Sequence, residues 1–273
     1  MTVARGLVCA LDVGAWIDDP PRLVLTDRYL ERLRGLRLGH VAVMLDGVRP
    51  GLVDARWTAA DLERLRDALP QSTRRIITTC PIPSRAHMAE MEDALPALLR
   101  AFGSNAVEHD LEPFLGRGWD RAQVDGFLGL ADAGRELVSR TLDAGAEHVE
   151  ITTFPGAIPG AVGAIAAAGS LSLQCYPTAR EGRTYDGPQG PARFPLAAIE
   201  AARKRFPGVE LVAGLPAYRQ TWPGVAPDAA MAVALASAQA GGASVVRYWS
   251  AKWLCRLSAR KYAAPFVASL ALS

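Results

Sequence analysis

The stretch N-A-V-E-H-D-L-E-P-F-L, residues 105–115, sets Glu108, Asp110 and Glu112 at alternate positions in an otherwise apolar run. Residues i, i+2 and i+4 of a β-strand point the same way, so as a strand this segment lines up its acids on one face. Val107, His109 and Leu111 take the other. A row of carboxylates inside a sheet covered on both faces would be costly. One architecture tolerates it: a barrel strand, whose last inward positions open onto the C-terminal mouth.

The rest of the chain has the matching pattern. Short apolar strand candidates at 6–13, 40–47, 74–80, 105–112, 147–154, 170–176, 209–216 and 244–250 alternate with amphipathic segments such as TDRYLERLRGLR, TAADLERLRDAL, RAHMAEMEDALPALLRAF and PLAAIEAARKRF. In two of these a Thr precedes an acid in the first turn, a capping signal. The strand-helix units recur about every 34 residues, the spacing of a (β/α)8 barrel. A doubly wound sheet would have fewer strands and a glycine-rich first turn, whereas D-V-G-A-W-I-D-D offers no G-x-G-x-x-G. The expected fold is a single-domain α/β protein, a (β/α)8 TIM barrel over 1–273, with a long loop at 178–195 after strand six.

On a barrel, Glu112 stands at the mouth, Asp110 just below it and Glu108 deeper. Crowded carboxylates cannot all ionise cheaply, so at least one pKa is pushed up, giving a proton donor beside an ionised partner. That pairing suits acid-assisted cleavage of a glycosidic bond. The competing reading is an internal ion-pair network, with Arg247 on strand eight as the counter-charge. Other expected strand ends converge on the same mouth: Asp12, Asp46, Gln174 with Tyr176, and Arg247 with Trp249. Acids, an amide, a phenol and an indole suit a sugar ring, whose hydroxyls they bond and whose C–H face they stack. Tyr185, Tyr218, Trp222 and Trp253 could extend the platform. By parity His109 faces the helices as a structural residue. The glycine-rich 154–169 segment is expected to serve close helix packing.

Bulk properties limit the partners. The chain has 273 residues, half of them hydrophobic, 21% charged, with a net charge of +2, so neither nucleic acid nor a membrane surface is expected to attract it strongly. No apolar run reaches the roughly 20 residues of a membrane helix. Cys9, Cys80, Cys175 and Cys255 form no CxxC pair and read as reduced core thiols. The N-terminus is basic, then briefly apolar until Asp12 interrupts it. A cytoplasmic protein, or one released without a cleaved signal peptide, is the expectation.

These residues resemble the plant-type chitinases and lysozymes of glycoside hydrolase family 18, which carry D-G-x-D-x-D-x-E on strand four. N-A-V-E-H-D-L-E keeps the final D-x-E as Asp110 and Glu112, sets Glu108 at an earlier Asp, and lacks the first Asp and the Gly. L-Q-C-Y-P (173–177), A-G-L-P-A (213–217) and R-Y-W-S-A-K-W (247–253) are similar to that family's strands six, seven and eight. Strand three, I-I-T-T-C-P-I-P-S, lacks its S-x-G-G. The strand-one L-D-V-G-A-W-I-D is also similar to family 25 lysozymes, which pair such an Asp with a strand-four D-x-E. The resemblance implies a retaining, substrate-assisted glycosidase acting on β-linked N-acetylglucosamine polymers, chitin or peptidoglycan, without metal or cofactor. Glu112 would be the general acid, Asp110 would orient the substrate's N-acetyl group, Tyr176 would bond its oxygen, and Trp249 would floor the subsite. Asp12, Asp46, Glu108, Gln174 and Arg247 would complete substrate binding.

Two other readings stay open. The chain could be a carbohydrate-binding barrel without turnover, given the altered strand-four motif. Less favoured is a metal-dependent sugar-active barrel holding a divalent cation through Glu112 and Glu150 with Asp46 or Asp12.

Overall fold

Strands β1 (Asp12–Ile17), β2 (His40–Met44), β3 (Arg74–Thr79), β4 (Ala106–Asp110), β5 (His148–Thr153), β6 (Ser170–Gln174), β7 (Glu210–Pro216) and β8 (Val245–Trp249) pair in parallel, each with the next. β8 then pairs with β1 and closes the barrel. The computed structural model describes residues 12–45, 57–79, 85–111, 130–176, 189–217 and 227–255. The helices among them are α1 (Pro21–Val24), α2 (Asp27–Gly35), α3 (Ala59–Ala68), α4 (Arg85–Phe102), α5 (Leu130–Asp143), α6 (Ile158–Ala168), α7 (Gly190–Arg205), α8 (Pro227–Ala240) and α9 (Ala251–Cys255).

Each strand divides by parity. Outward residues such as Val41, Val43, Ile77, Val107, Ile151, Leu171 and Leu215 pack with the helices in one continuous apolar shell. A smaller cluster of Trp16, Ala42, Ile76 and Ala106 fills part of the barrel interior. The helices start where their caps dictate. Thr26 accepts from the backbone N–H of Tyr29 at the head of α2, and Thr58 forms a capping box with Asp61 at the head of α3. The glycine-rich segment packs as expected: a Cβ at Gly134 of α5 would lie 2.8 Å from the Ala164 Cβ of α6.

Seven of the strands fall inside the segments read from the sequence; β1 does not. It was expected at 6–13 with Asp12 closing it, whereas the strand begins at Asp12 and runs to Ile17. Asp12 and Gly14 look like strand-ending residues, but Gly14 is interior. A Cβ there would come within 2.2 Å of the His40 imidazole, so glycine makes the room that this buried histidine fills. The loop expected through 195 is also shorter, because Gly190 and Pro191 begin α7; proline fits a first helical turn, where its missing N–H costs nothing. Cys175 and Cys255 are buried free thiols, as expected, while Cys9 and Cys80 lie outside the described residues. Among the described residues, no helix is long and apolar enough to cross a membrane.

Candidate functional site

The inward row of β4 is Ala106, Glu108 and Asp110. Glu108 is fully buried and heavily bonded. Trp16 donates its indole N–H to both carboxylate oxygens at 2.9 Å, and Thr78 donates to Oε2 at 2.8 Å. Thr152 donates to Oε1. Arg247, also fully buried, places Nη1 2.9 Å from Glu108 Oε2 and 2.5 Å from Glu150 Oε1, with Nη2 3.3 Å from Glu150 Oε2. Its guanidinium carbon lies 5.1 Å from the centroid of the Trp16 ring, a cation–π contact.

Register explains the assembly. Glu108 is paired laterally with Thr78 on β3 and Glu150 on β5, and Gly14 with Arg247 on β8, so all these residues share the inner face. Burial pushes the Glu108 carboxyl above its ordinary range; Arg247 pulls it back, Glu150 pushes again, and the threonine hydroxyls pull. For Arg247 burial opposes the charge, but Glu108 and Glu150 outweigh it and hold the guanidinium protonated.

This corrects two expectations. Glu108, read as the deepest of the acid row, and Arg247, read as closing strand eight, were both expected among the substrate contacts; the structure joins them in a buried ion cluster below the mouth, the network that competed with the open acid row. Asp12 is corrected as well. It begins β1, at the opposite end of the barrel from the mouth, with Oδ1 3.0 Å from His40 Nδ1 and Oδ2 3.8 Å from Arg74 Nη2. Of the cation site considered on Glu112 and Glu150 with Asp46 or Asp12, Glu150 is bound to Arg247 and Asp12 faces the other end, while Glu112 and Asp46 lie outside the described residues. Among the described residues, no group of three or more His, Cys, Asp and Glu side chains could hold a metal ion.

Above the ion cluster, Asp110, Gln174 and Trp249 end their strands at the same end of the barrel. Asp110 ends β4, and the Gln174 side chain at the end of β6 donates Nε2–H to its Oδ1 at 3.4 Å. Trp249 ends β8 half-buried, its ring centroid 5.6 Å from that of Trp16 at an interplanar angle of 55°. Tyr176 follows β6 and packs against Phe194 and Ala230. Trp253 packs against the outer apolar shell. Glu112 and Asp46, with Tyr185, Tyr218 and Trp222, lie outside the described residues. His109 is fully buried on the outer face, between the hydroxyls of Thr79 and Thr141 at 2.8 Å each.

Sequence reasoning missed Trp16. It joins the ion cluster to Trp249, and Gly214 on β7 leaves room for it: a Cβ there would sit 2.8 Å from the indole. The signal was the alternation of Gly14 and Trp16, hidden when the strand was placed too early. Asp18 was missed for the same reason; it follows β1 at the mouth end and pairs with Lys252 at 3.1 Å.

No family model matches the chain, and no curated protein matches it by sequence. Solved structures do share its fold. A family 18 chitinase from Crocus vernus superposes with a TM-score of 0.63 at 11% identity, covering 95% of this chain and 98% of its own. A family 18 chitinase from Cycas revoluta, in complex with (GlcNAc)3, gives 0.58 at 12%, covering 97% and 100%. A chitinase-like lectin from tamarind gives 0.59 at 11%, covering 93% and 98%. At such identities the likeness is one of fold: the chain shares the barrel architecture of these proteins.

Proposed function

We propose that this barrel is a retaining glycoside hydrolase of β-linked N-acetylglucosamine polymers, chitin or peptidoglycan, with Glu112 as general acid. The observation that carries the reading is the mouth pair, Asp110 at the end of β4 held by Gln174 at the end of β6, on the same end of the barrel as the half-buried Trp249 that closes β8. Glu112 follows Asp110 by two residues in sequence. Its protonated carboxyl gives the proton to the glycosidic oxygen as the C1–O bond breaks. The carbonyl oxygen of the substrate's own N-acetyl group forms the new bond to C1, and the ionised Asp110 accepts that group's N–H and offsets the ring's positive charge. Water then opens the ring, with Glu112 as base. This substrate assistance departs from the usual two-carboxylate scheme. Tyr176 bonds the N-acetyl oxygen, and Trp249 stacks on the sugar's C–H face.

The fold likeness to chitinases, one of them bound to (GlcNAc)3, supports the substrate class. Hydrolysis of chitin oligomers and of peptidoglycan by the wild type and by Glu112→Gln tests the proposal. General acid catalysis contributes about 10²–10⁴-fold, so the variant should lose at least that lower figure. A wild type that cleaves neither polymer, or a variant as fast as the wild type, removes the catalytic claim.

One observation favours a second reading, a carbohydrate-binding barrel without turnover. Glu108, which aligns with an earlier Asp of the family motif, is locked to Arg247 and is not available to exchange a proton with Asp110. Saturable binding of an N-acetylglucosamine oligomer without hydrolysis would select it.

A further inference from the structure

Over the seam between β1 and β8, on the same end of the barrel as Trp249, lies a cavity of about 360 Å³ that the proposed chemistry does not use. Asp19 after β1, Arg28, Tyr29 and Arg32 of α2, and Lys252 and Cys255 of α9 line it. Three of these are cations and one an acid. Lys252 is anchored by Asp18 at 3.1 Å and Asp19 at 3.6 Å, so with both acids counted the site keeps a positive excess. Arg32 is fixed in place, its Nη1 donating to the Cys255 carbonyl at 2.9 Å. Arg28 is exposed and has no ion-pair partner among the described residues.

The second observation is independent of charge. The Tyr29 hydroxyl is buried and has no hydrogen-bond partner among the described residues. A buried O–H left unbonded is costly, so such groups are rare unless something is meant to meet them. Burial, then the neighbouring Cys255, Asp19 and Asp18, push the phenol well above its ordinary range, so it remains a donor.

We propose that this cavity is an oxyanion site. A carboxylate or phosphate group accepts from the Tyr29 O–H and from the guanidinium groups of Arg28 and Arg32, with Lys252 adding charge from the far wall. The Tyr29 ring and Cys255 give an apolar floor, which suits an organic anion. Two sources supply that chemistry: a free acid, or a carboxylate borne by a glycan whose sugars occupy the neighbouring mouth.

Calorimetric titration at constant ionic strength separates them, with inorganic phosphate, N-acetylmuramic acid and N-acetylglucosamine as probes. Phosphate and N-acetylmuramic acid should bind at one site per chain. Tyr29→Phe should weaken both about tenfold, the effect of one hydrogen bond to a charged group, while its unfolding midpoint stays level or rises, since the lost hydroxyl had no partner. Arg28→Gln, at the exposed rim, should weaken them about fivefold. N-acetylmuramic acid binding more tightly than phosphate supports the glycan-borne source, and equal binding supports a free anion. Any N-acetylglucosamine binding belongs to the mouth and should be unmoved by Tyr29→Phe. Absence of anion binding, or variants that bind both anions as the wild type does, overturns the site. None of these residues belongs to the mouth, so the result stands even if the protein cleaves no glycan.

Discussion

Trp16 on β1 reaches across the barrel interior and donates its indole N–H to both carboxylate oxygens of Glu108 on β4, at 2.9 Å each. Its ring also meets that of Trp249, centroid to centroid at 5.6 Å. One side chain therefore ties the buried charge cluster to the half-buried platform at the mouth.

Trp16→Phe keeps a ring in the site but strips the donor from an ionisable partner. Hydrogen bonds to charged groups contribute about 1.5–3 kcal/mol, and the smaller ring adds a packing loss, so urea unfolding should show stability lower by about 2–4 kcal/mol. An unchanged midpoint would mean that the bond contributes nothing.

Arg247 is the only guanidinium among the described residues that contacts the two interior carboxylates, Glu108 and Glu150. Arg247→Met leaves both without a counter-charge, a loss of about 3–5 kcal/mol near neutral pH. The pH dependence follows from the raised pKa of Glu108. Its folded value exceeds the ordinary 4.5, so its contribution to stability is complete below that value and is lost as pH rises through the folded one. Without Arg247 the folded value rises further, and the variant's deficit should shrink on acidification. Unfolding curves from pH 4 upward, with a deficit independent of pH, would contradict the cluster's role.

His40 behaves oppositely. Burial pulls its pKa below 6.5 against the opposing bond from Asp12, so the neutral ring donates Nδ1–H to that carboxylate. Its contribution is complete above pH 6.5 and is lost as pH falls through the depressed folded value. Gly14→Ala drives a methyl into this ring and should cost about 1–3 kcal/mol. In a His40→Ala background that cost should fall to a few tenths, a coupling a double-mutant cycle measures directly. Additive costs would show that the two positions do not share space.

Trp249→Ala removes the platform without touching the ion pairs. Affinity for an N-acetylglucosamine oligomer should drop about tenfold or more, since one stacked aromatic face contributes 1–3 kcal/mol in comparable ring stacking, while the unfolding midpoint moves little because the side chain is half-exposed. Equal affinity in the variant would take the platform out of the binding site.

Much of this was legible in the sequence because parity in a strand is rigid. The inward row of Glu108 and Asp110, the outward His109, and the meeting of Gln174 with Asp110 all follow from period-two alternation and the order of strands around a barrel. Sign and depth were harder. Alternation says that Glu108 and Arg247 face inward, but not how far below the rim they lie; that depends on the stagger between strands, which has no local signature. β1 was misplaced because Gly14 carries a strand-breaking signal whose cause, the ring of His40, sits 26 positions further along the chain. Trp16 and Asp18 were lost with that register.

The most direct test of the account is a crystal structure of the protein with an N-acetylglucosamine trimer. The account predicts a sugar ring stacked on Trp249, its N-acetyl group within hydrogen-bond reach of Asp110 and its bridging oxygen beside Glu112. A trimer seated away from Trp249, or a mouth that stays empty at saturating ligand, would contradict it.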